Sequence, residues 1–145
     1  MAVNDFTEPE LNRRATATAE IFRHSMHVYV HRITNDPTQP LPDDIQTSLD
    51  TVFELLQYVP DAFGPGANLG WALVVVGSEI DDEDRREYIR CRWRVLEVLG
   101  LGNTSSGAKL LEDVWVARDD ARTFGWALPR WQTIMHDSSS EMILL

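Results

Sequence analysis

The chain has 145 residues, 43% of them hydrophobic, with 23 acidic and 13 basic side chains, a formal net charge of −10 and a pI near 4.7. That size and apolar fraction fit one ordinary core and hence one domain, and the acidic balance excludes a nucleic-acid surface, which needs clustered Lys and Arg to neutralise phosphates. A single cysteine, Cys91, excludes an internal disulfide and any multi-cysteine metal site. The stretch from Met1 to Leu11 has neither the basic start nor the apolar segment of a secretory signal. The longest apolar run, Trp71 to Val76, is too short to span a bilayer. A reducing, intracellular compartment and no membrane contact are the expectations.

In chain order, a first helix is expected over about Glu8 to Ile33, with Thr7 as N-cap and Glu10 completing a capping box. Asn35, Asp36 and Pro37 end it, and the Pro-rich linker 35–42, with three prolines, is expected to be extended. A second helix, roughly Pro42 to Tyr58, carries Ile45, Leu49, Val52, Phe53 and Leu56 at helical spacing, and Pro60 stops it. Phe63 to Gly66 reads as a turn. Trp71 to Ile80 is apolar nearly all round and so reads as a buried helix. Asp81 and Asp82 cap the next, whose first turns hold Glu83, Asp84 and Glu87 and which Gly100 stops. Asn103, Thr104 or Ser105 starts another helix, with Leu110, Leu111, Val114 and Trp115 on one side; it runs to about Thr123, before Gly125. Pro129 suits the first turn of a short helix holding Trp131, Ile134 and Met135, and Ser138 with Glu141 forms a last capping box. No segment alternates with period two, so the fold class is all-α, a bundle of about five to seven helices in one domain, 1–145.

The sharpest chemical constellation is Glu20, His24, His27 and His31. At about 100° per residue these four fall in one narrow stripe, and His27 with His31 has the i, i+4 spacing that can grip a metal. Leu11, Ala15, Phe22, Met26, Tyr29 and Ile33 occupy roughly the opposite face, which sets the histidines outward with no enclosed site. The stripe therefore reads as a solvated polar face, with a pH-sensitive partner surface as the intermediate reading. No metal and no cofactor is assigned. His136, Asp137 and Ser138 are triad residue types in adjacent positions, the wrong geometry for converging side chains, and no catalytic residue is assigned. The acidic run Glu79 to Asp84 lacks the alternating ligands and central glycine of an EF-hand. Cys91, between arginines, reads as a small packing group rather than a reactive thiol. Trp71, Trp93, Trp115, Trp126 and Trp131 read as core packing in preference to a ligand pocket. Arg85, Arg86, Arg90, Arg92 and Arg94 follow a run of acids, so local pairing explains them better than DNA contact.

Some elements carry a resemblance. Leu69, Trp71, Ala72, Leu73 and Gly77-Ser78-Glu79 are followed by Arg85-Arg86 and Ile89, then Asn103 and Leu110-Leu111-Glu112-Asp113-Val114-Trp115. Trp131, Ile134-Met135 and the tail Met142 to Leu145 close the series. Their order resembles the C-terminal part of the fungal-specific transcription factor domain of zinc-cluster (two zinc, six cysteine) regulators, best over Leu69 to Leu145. Ala72 departs from it, standing where proline is common, and one cysteine leaves no room for the cluster. The resemblance implies a structural role for Leu69, Trp71, Gly77, Glu79, Arg86, Asn103, Leu111, Val114 and Trp115. It also implies transcription regulation in the nucleus, DNA contact supplied outside this chain, and a protein partner or self-association, with sensing of a small-molecule effector as a further option. The rival reading is a free-standing descendant of that domain, acting as a small-molecule binder or an enzyme, although nothing in the chain demands catalysis. In the larger domain that the chain resembles, these helices pack against others absent here, so the resemblance implies apolar faces left for a partner or a homodimer, with Ile45, Leu49, Phe53 and Leu56 and the tail Met142 to Leu145 as contributors.

Overall fold

The computed structural model describes residues 7–59, 69–98 and 104–137. Among them the elements are α1 (Glu8–Thr34), α2 (Asp43–Leu55) with a single 3-10 turn (Leu56–Tyr58), α3 (Gly70–Gly77), α4 (Glu83–Val98), α5 (Thr104–Phe124) and α6 (Trp131–Asp137). The fold is all-α. Pro60, the turn at 63–66, Gly100, Asn103, the Ser138–Glu141 box and the tail from Met142 lie outside the described residues.

α1 starts as the capping box requires: Thr7 N–H donates to Glu10 Oε2 at 2.7 Å, and Thr7 Oγ1 accepts from Glu10 N–H. Beyond its end the linker turns rather than simply extending. Asp36 Oδ1 accepts from Thr38 N–H at 2.8 Å and the Asp36 carbonyl from Gln39 N–H, the local bonding that lets Asp compete with extended backbone. α2 buries Ile45, Ser48, Leu49 and Val52, and its continuation buries Leu56.

α3 is the centre of the molecule. Ala72 to Gly77 are all buried, with α1, α4 and α5 packed around them. An eight-residue helix is unstable alone; burial of its apolar side chains, worth about 1.5–3 kcal/mol for each Val or Leu, stabilises it. It stops at Gly77 rather than Ile80, because Ser78 Oγ donates to the Val74 carbonyl and the amides of Glu79 and Ile80 turn back onto Val76 and Gly77. Asp82 then caps α4, its Oδ2 accepting from Arg85 N–H. α5 ends in a Schellman turn: Gly125 takes φ +72° and Trp126 N–H donates to the Ala121 carbonyl. α6 is held onto the far end of α1 by Arg130, which donates to the carbonyls of Arg32 and Asn35.

Candidate functional site

The residues singled out by the sequence converge where α3 ends and α4 and α5 cross. Gly77 is the seat. Its carbonyl accepts from Trp115 Nε1–H at 2.8 Å, and a Cβ there would sit 3.0 Å from Leu111 Cδ2 and 3.2 Å from Ile89 Cδ1, a tight fit that would push those side chains aside. Leu69, Leu111, Val114 and Trp115 are buried. Trp71 is half-buried and packs on α1 instead, against Phe22 and edge-on to Tyr29. Glu79 joins α1 to this junction through Arg32 (2.9 Å), with both side chains nearly buried.

Charge fills the outer layer of the junction. Arg86, 4% exposed, donates to the Ile80 carbonyl at 3.0 Å and grips Asp119 with two bonds of 2.9 Å, while its guanidinium lies 5.5 Å from the Trp115 ring centre. Asp81 accepts two bonds from Arg118 and lies 2.5 Å from Arg122. Burial pushes the Asp81 carboxyl up, but the Arg118 bonds and the charges of Arg118, Arg122 and Arg86 outweigh it and hold it below the ordinary range. The Arg86 hydrogen bonds do the same for Asp119. On the other side of Trp115, Arg90 lies 4.9 Å from the ring and bridges Glu83, Glu87 and Glu112. The hydrogen bonds it donates to Glu112 and Glu83 raise its already high pKa.

The other arginines of this run are also engaged. Arg85 pairs with Asp50 and lies over Phe53, Arg94 pairs with Glu87, and buried Arg92 donates to the carbonyls of Leu56 and Val59, closing the end of α2. Local pairing therefore accounts for part of the basic cluster, and contacts between distant elements for the rest. The contacts at the junction, a buried carbonyl, ion pairs and packed rings, tie α3, α4 and α5 together.

The histidine stripe corrects the sequence reading. Buried positions on α1 are Arg14, Ala17, Ile21, Ser25 and Val28, whereas Leu11, Met26 and Ile33, expected on the packed face, are 48–49% exposed. The helix is rotated so that His24 and His27 meet α2, their Nδ1 atoms 3.0 and 2.9 Å from Ser48 Oγ. Proton positions follow from donor counting. Arg23 can only donate to His24 Nε2 (3.0 Å), so His24 carries its proton on Nδ1 and donates to Ser48, which donates in turn to His27 Nδ1. Burial, with the charges of Arg23 and His27, lowers the His24 pKa although Glu20 opposes it. Glu20 is bonded to Arg23, and His31 to Asn35, so the four side chains do not converge on one point. Among the described residues no group of three His, Cys, Asp or Glu side chains is placed to hold a metal. Ser48 went unnoticed in the sequence; its signal was a hydroxyl set among Ile45, Leu49 and Val52 on an apolar face.

Other candidates separate. Cys91 is exposed, not a packing group, because it lies on the outer side of α4 beside Glu87 and Arg94. His136 and Asp137 are exposed on α6, and Ser138 lies outside the described residues. Trp93 and Trp115 are core, Trp71 and Trp131 pack against it, and Trp126 is exposed, stacked on Phe124. Ile45, Leu49 and Leu56 are buried inside the chain and Phe53 lies half-buried beneath Arg85, so α2 is not the free apolar face expected: α1 covers it. A cleft of about 200 Å³ between α4 and α5, lined by Trp93, Arg94, Glu97, Ala108 and Glu112, presents no reactive pair.

A family model described as the fungal specific transcription factor domain matches residues 3–145, so the likeness extends upstream of the signature residues, through α1 and α2. No curated protein and no solved structure matches the chain. With nearly its whole length matched, and the signature residues locked around Gly77 and Trp115, the chain belongs to the fungal specific transcription factor domain family, a family of transcription-regulatory domains.

Proposed function

We propose that this domain works in the nucleus as the partner-binding part of a zinc-cluster-type transcription regulator, through another protein or a second copy of itself, with DNA contacted by a zinc cluster outside this chain. The observation that carries the reading is the fate of the arginines between Arg85 and Arg94. Each is tied to a carboxylate or to backbone carbonyls of the same chain, and the net charge of −10 opposes approach to phosphates. The direct test has two arms. In an anisotropy titration at moderate salt the isolated chain should show no sequence-selective DNA binding; selective binding that survives competitor DNA overturns the reading. Fused to an unrelated DNA-binding domain and tethered upstream of a reporter, the chain should change transcription, and a silent fusion that is folded and nuclear counts against a regulatory role.

A further inference from the structure

Among the described helices α6 alone has no buried residue. Trp131, Ile134 and Met135 pack against the core only in part, and Thr133, His136 and Asp137 are exposed. Seven residues cannot sustain a helix by themselves, and Gly125 to Ala127, which lead into it from α5, are exposed as well. Beyond its contact with α5, α6 is held by two residues at its start: Arg130, and Trp131, whose ring lies 6.5 Å from that of Tyr29 on α1.

Arg130 grips the open end of α1. A helix leaves its last four carbonyls without partners in the helix and carries partial negative charge there. At the end of α1 the Asn35 side-chain amide takes the His31 carbonyl at 2.9 Å. Arg130, 98 residues beyond Arg32, donates to the Arg32 carbonyl and, at 2.9 Å, to that of Asn35. It thus caps a helix from which it is remote in sequence. The Arg32 guanidinium works on the other side. It pairs with Glu79 at 2.9 Å, both side chains nearly buried, and donates to the Gln39 carbonyl at 2.9 Å. A cavity of about 20 Å³, lined among others by Tyr29, Ser78 and Gln132, lies between α6 and this pair. It has room for about one water molecule, so α6 covers an ion pair and not a ligand pocket.

We propose that α6 and the last turn of α1 form one latch, closed by Arg130, that opens as a unit while α3, α4 and α5 stay folded. Opening removes the cap from α1 and lets water onto the Arg32–Glu79 pair, where an ion pair contributes little. The tie between α1 and the end of α3 loosens with it, and so does the hold on the turn at 36–39. Local opening selects segments with few buried apolar contacts. α6 is such a segment, whereas Ala72 to Gly77 of α3 are buried throughout. Any partner that takes up α6 therefore acts on the end of α1 as well.

Hydrogen exchange of the full chain, read by mass spectrometry at low urea, tests the latch. Amides of 133–137 and of 31–34 should exchange through a common opening, at least about tenfold faster than those of 73–77 and 111–115. Arg130→Ala should speed both segments by roughly ten- to a hundredfold and leave the α3 and α5 amides unchanged. Should that variant misfold, Trp131→Ala releases the other hold and should also speed both segments together. Exchange of 133–137 at the rate of α3 in the unaltered chain overturns the proposal. So does either folded variant that speeds 133–137 and leaves 31–34 unchanged.

Discussion

Replacing Arg86 by alanine tests whether the junction of α3, α4 and α5 is held by its buried backbone contact or by its ion pair. Three losses combine. The Ile80 carbonyl loses a charged donor inside the protein, worth about 1–3 kcal/mol. The alkyl stem and guanidinium leave a gap beside Trp115, costing roughly 1–2 kcal/mol. The bidentate pair with Asp119 is also lost, but that carboxylate is 51% exposed and recovers hydration, so its share is about 1 kcal/mol or less. Arg86→Ala should thus destabilise by about 3–4 kcal/mol and lower Tm by roughly 10 °C for a chain of this size. Asp119→Ala leaves the buried Arg86 guanidinium with Asp81, at 3.6 Å, as its remaining carboxylate, and should cost about 1–2 kcal/mol, less than Arg86→Ala. Urea unfolding followed by circular dichroism, with thermal melts beside it, measures both. Equal losses for the two variants, or a loss under about 1 kcal/mol for Arg86→Ala, would refute the assignment of the stability to the buried carbonyl and packing.

Gly77→Ala should destabilise by about 1–2 kcal/mol in the same assay, since its methyl meets Leu111 Cδ2 at 3.0 Å and overpacking outweighs the helix-propensity gain. Leu49→Ala should cost about 2–5 kcal/mol, whereas Leu11→Ala, on the outer face of α1, should stay within about 0.5 kcal/mol; the reverse order would mean that α1 and α2 are packed by other faces. His24 has a pKa lowered by burial, so the unfolded chain binds its proton more readily than the folded one. Its contribution is therefore complete above the ordinary histidine pKa of 6.5 and is lost as pH falls below that value. Unfolding midpoints at pH 8 and pH 5.5 should drop on acidification, and His24→Leu should flatten the drop; a midpoint that rises as pH falls contradicts this. The lowered Asp81 and Asp119 carboxyls act in a separate window, below their ordinary 3.8.

What could be read from the chain alone divides along physical lines. Local signals were legible because they are local. The Thr7–Glu10 capping box, Asp82 ahead of α4, and Gly125 at the close of α5 each act within one turn, and each stands where composition placed it. α3 was equally plain, since a helix apolar on every side can only be central. The long-range pairings were not legible. Arg86 with Asp119 and Arg118 with Asp81 join residues over thirty apart, and nothing in an acidic run followed by arginines distinguishes such a grip from pairing within a helix. Ser48 escaped for the same reason, because its partners are supplied by another helix.

The rotation of α1 is the more instructive case, because its sequence carries two apolar stripes. One contains Ala17, Ile21 and Val28; the other contains Leu11, Met26 and Ile33 and has the larger side chains. Size favours burying the second. Yet α2 presents Ser48 among its apolar residues, and a buried hydroxyl without a partner costs about 1–3 kcal/mol. Turning the first stripe inward brings His24 and His27 to that hydroxyl, satisfies it twice, and sets Phe22 and Tyr29 against Trp71. The larger stripe is left outside, and the same rotation buries Ser25, whose Oγ has no hydrogen-bond partner among the described residues. A Ser48→Ala substitution separates satisfaction from packing: if the histidines fix the rotation, the alanine variant should lose the acid-induced drop in stability while keeping a helical spectrum. NMR titration of His24 should then show its imidazole no longer held below the ordinary histidine value. Retention of a lowered His24 pKa in that variant would mean that packing against α2, rather than the shared hydroxyl, sets which face of α1 is turned inward.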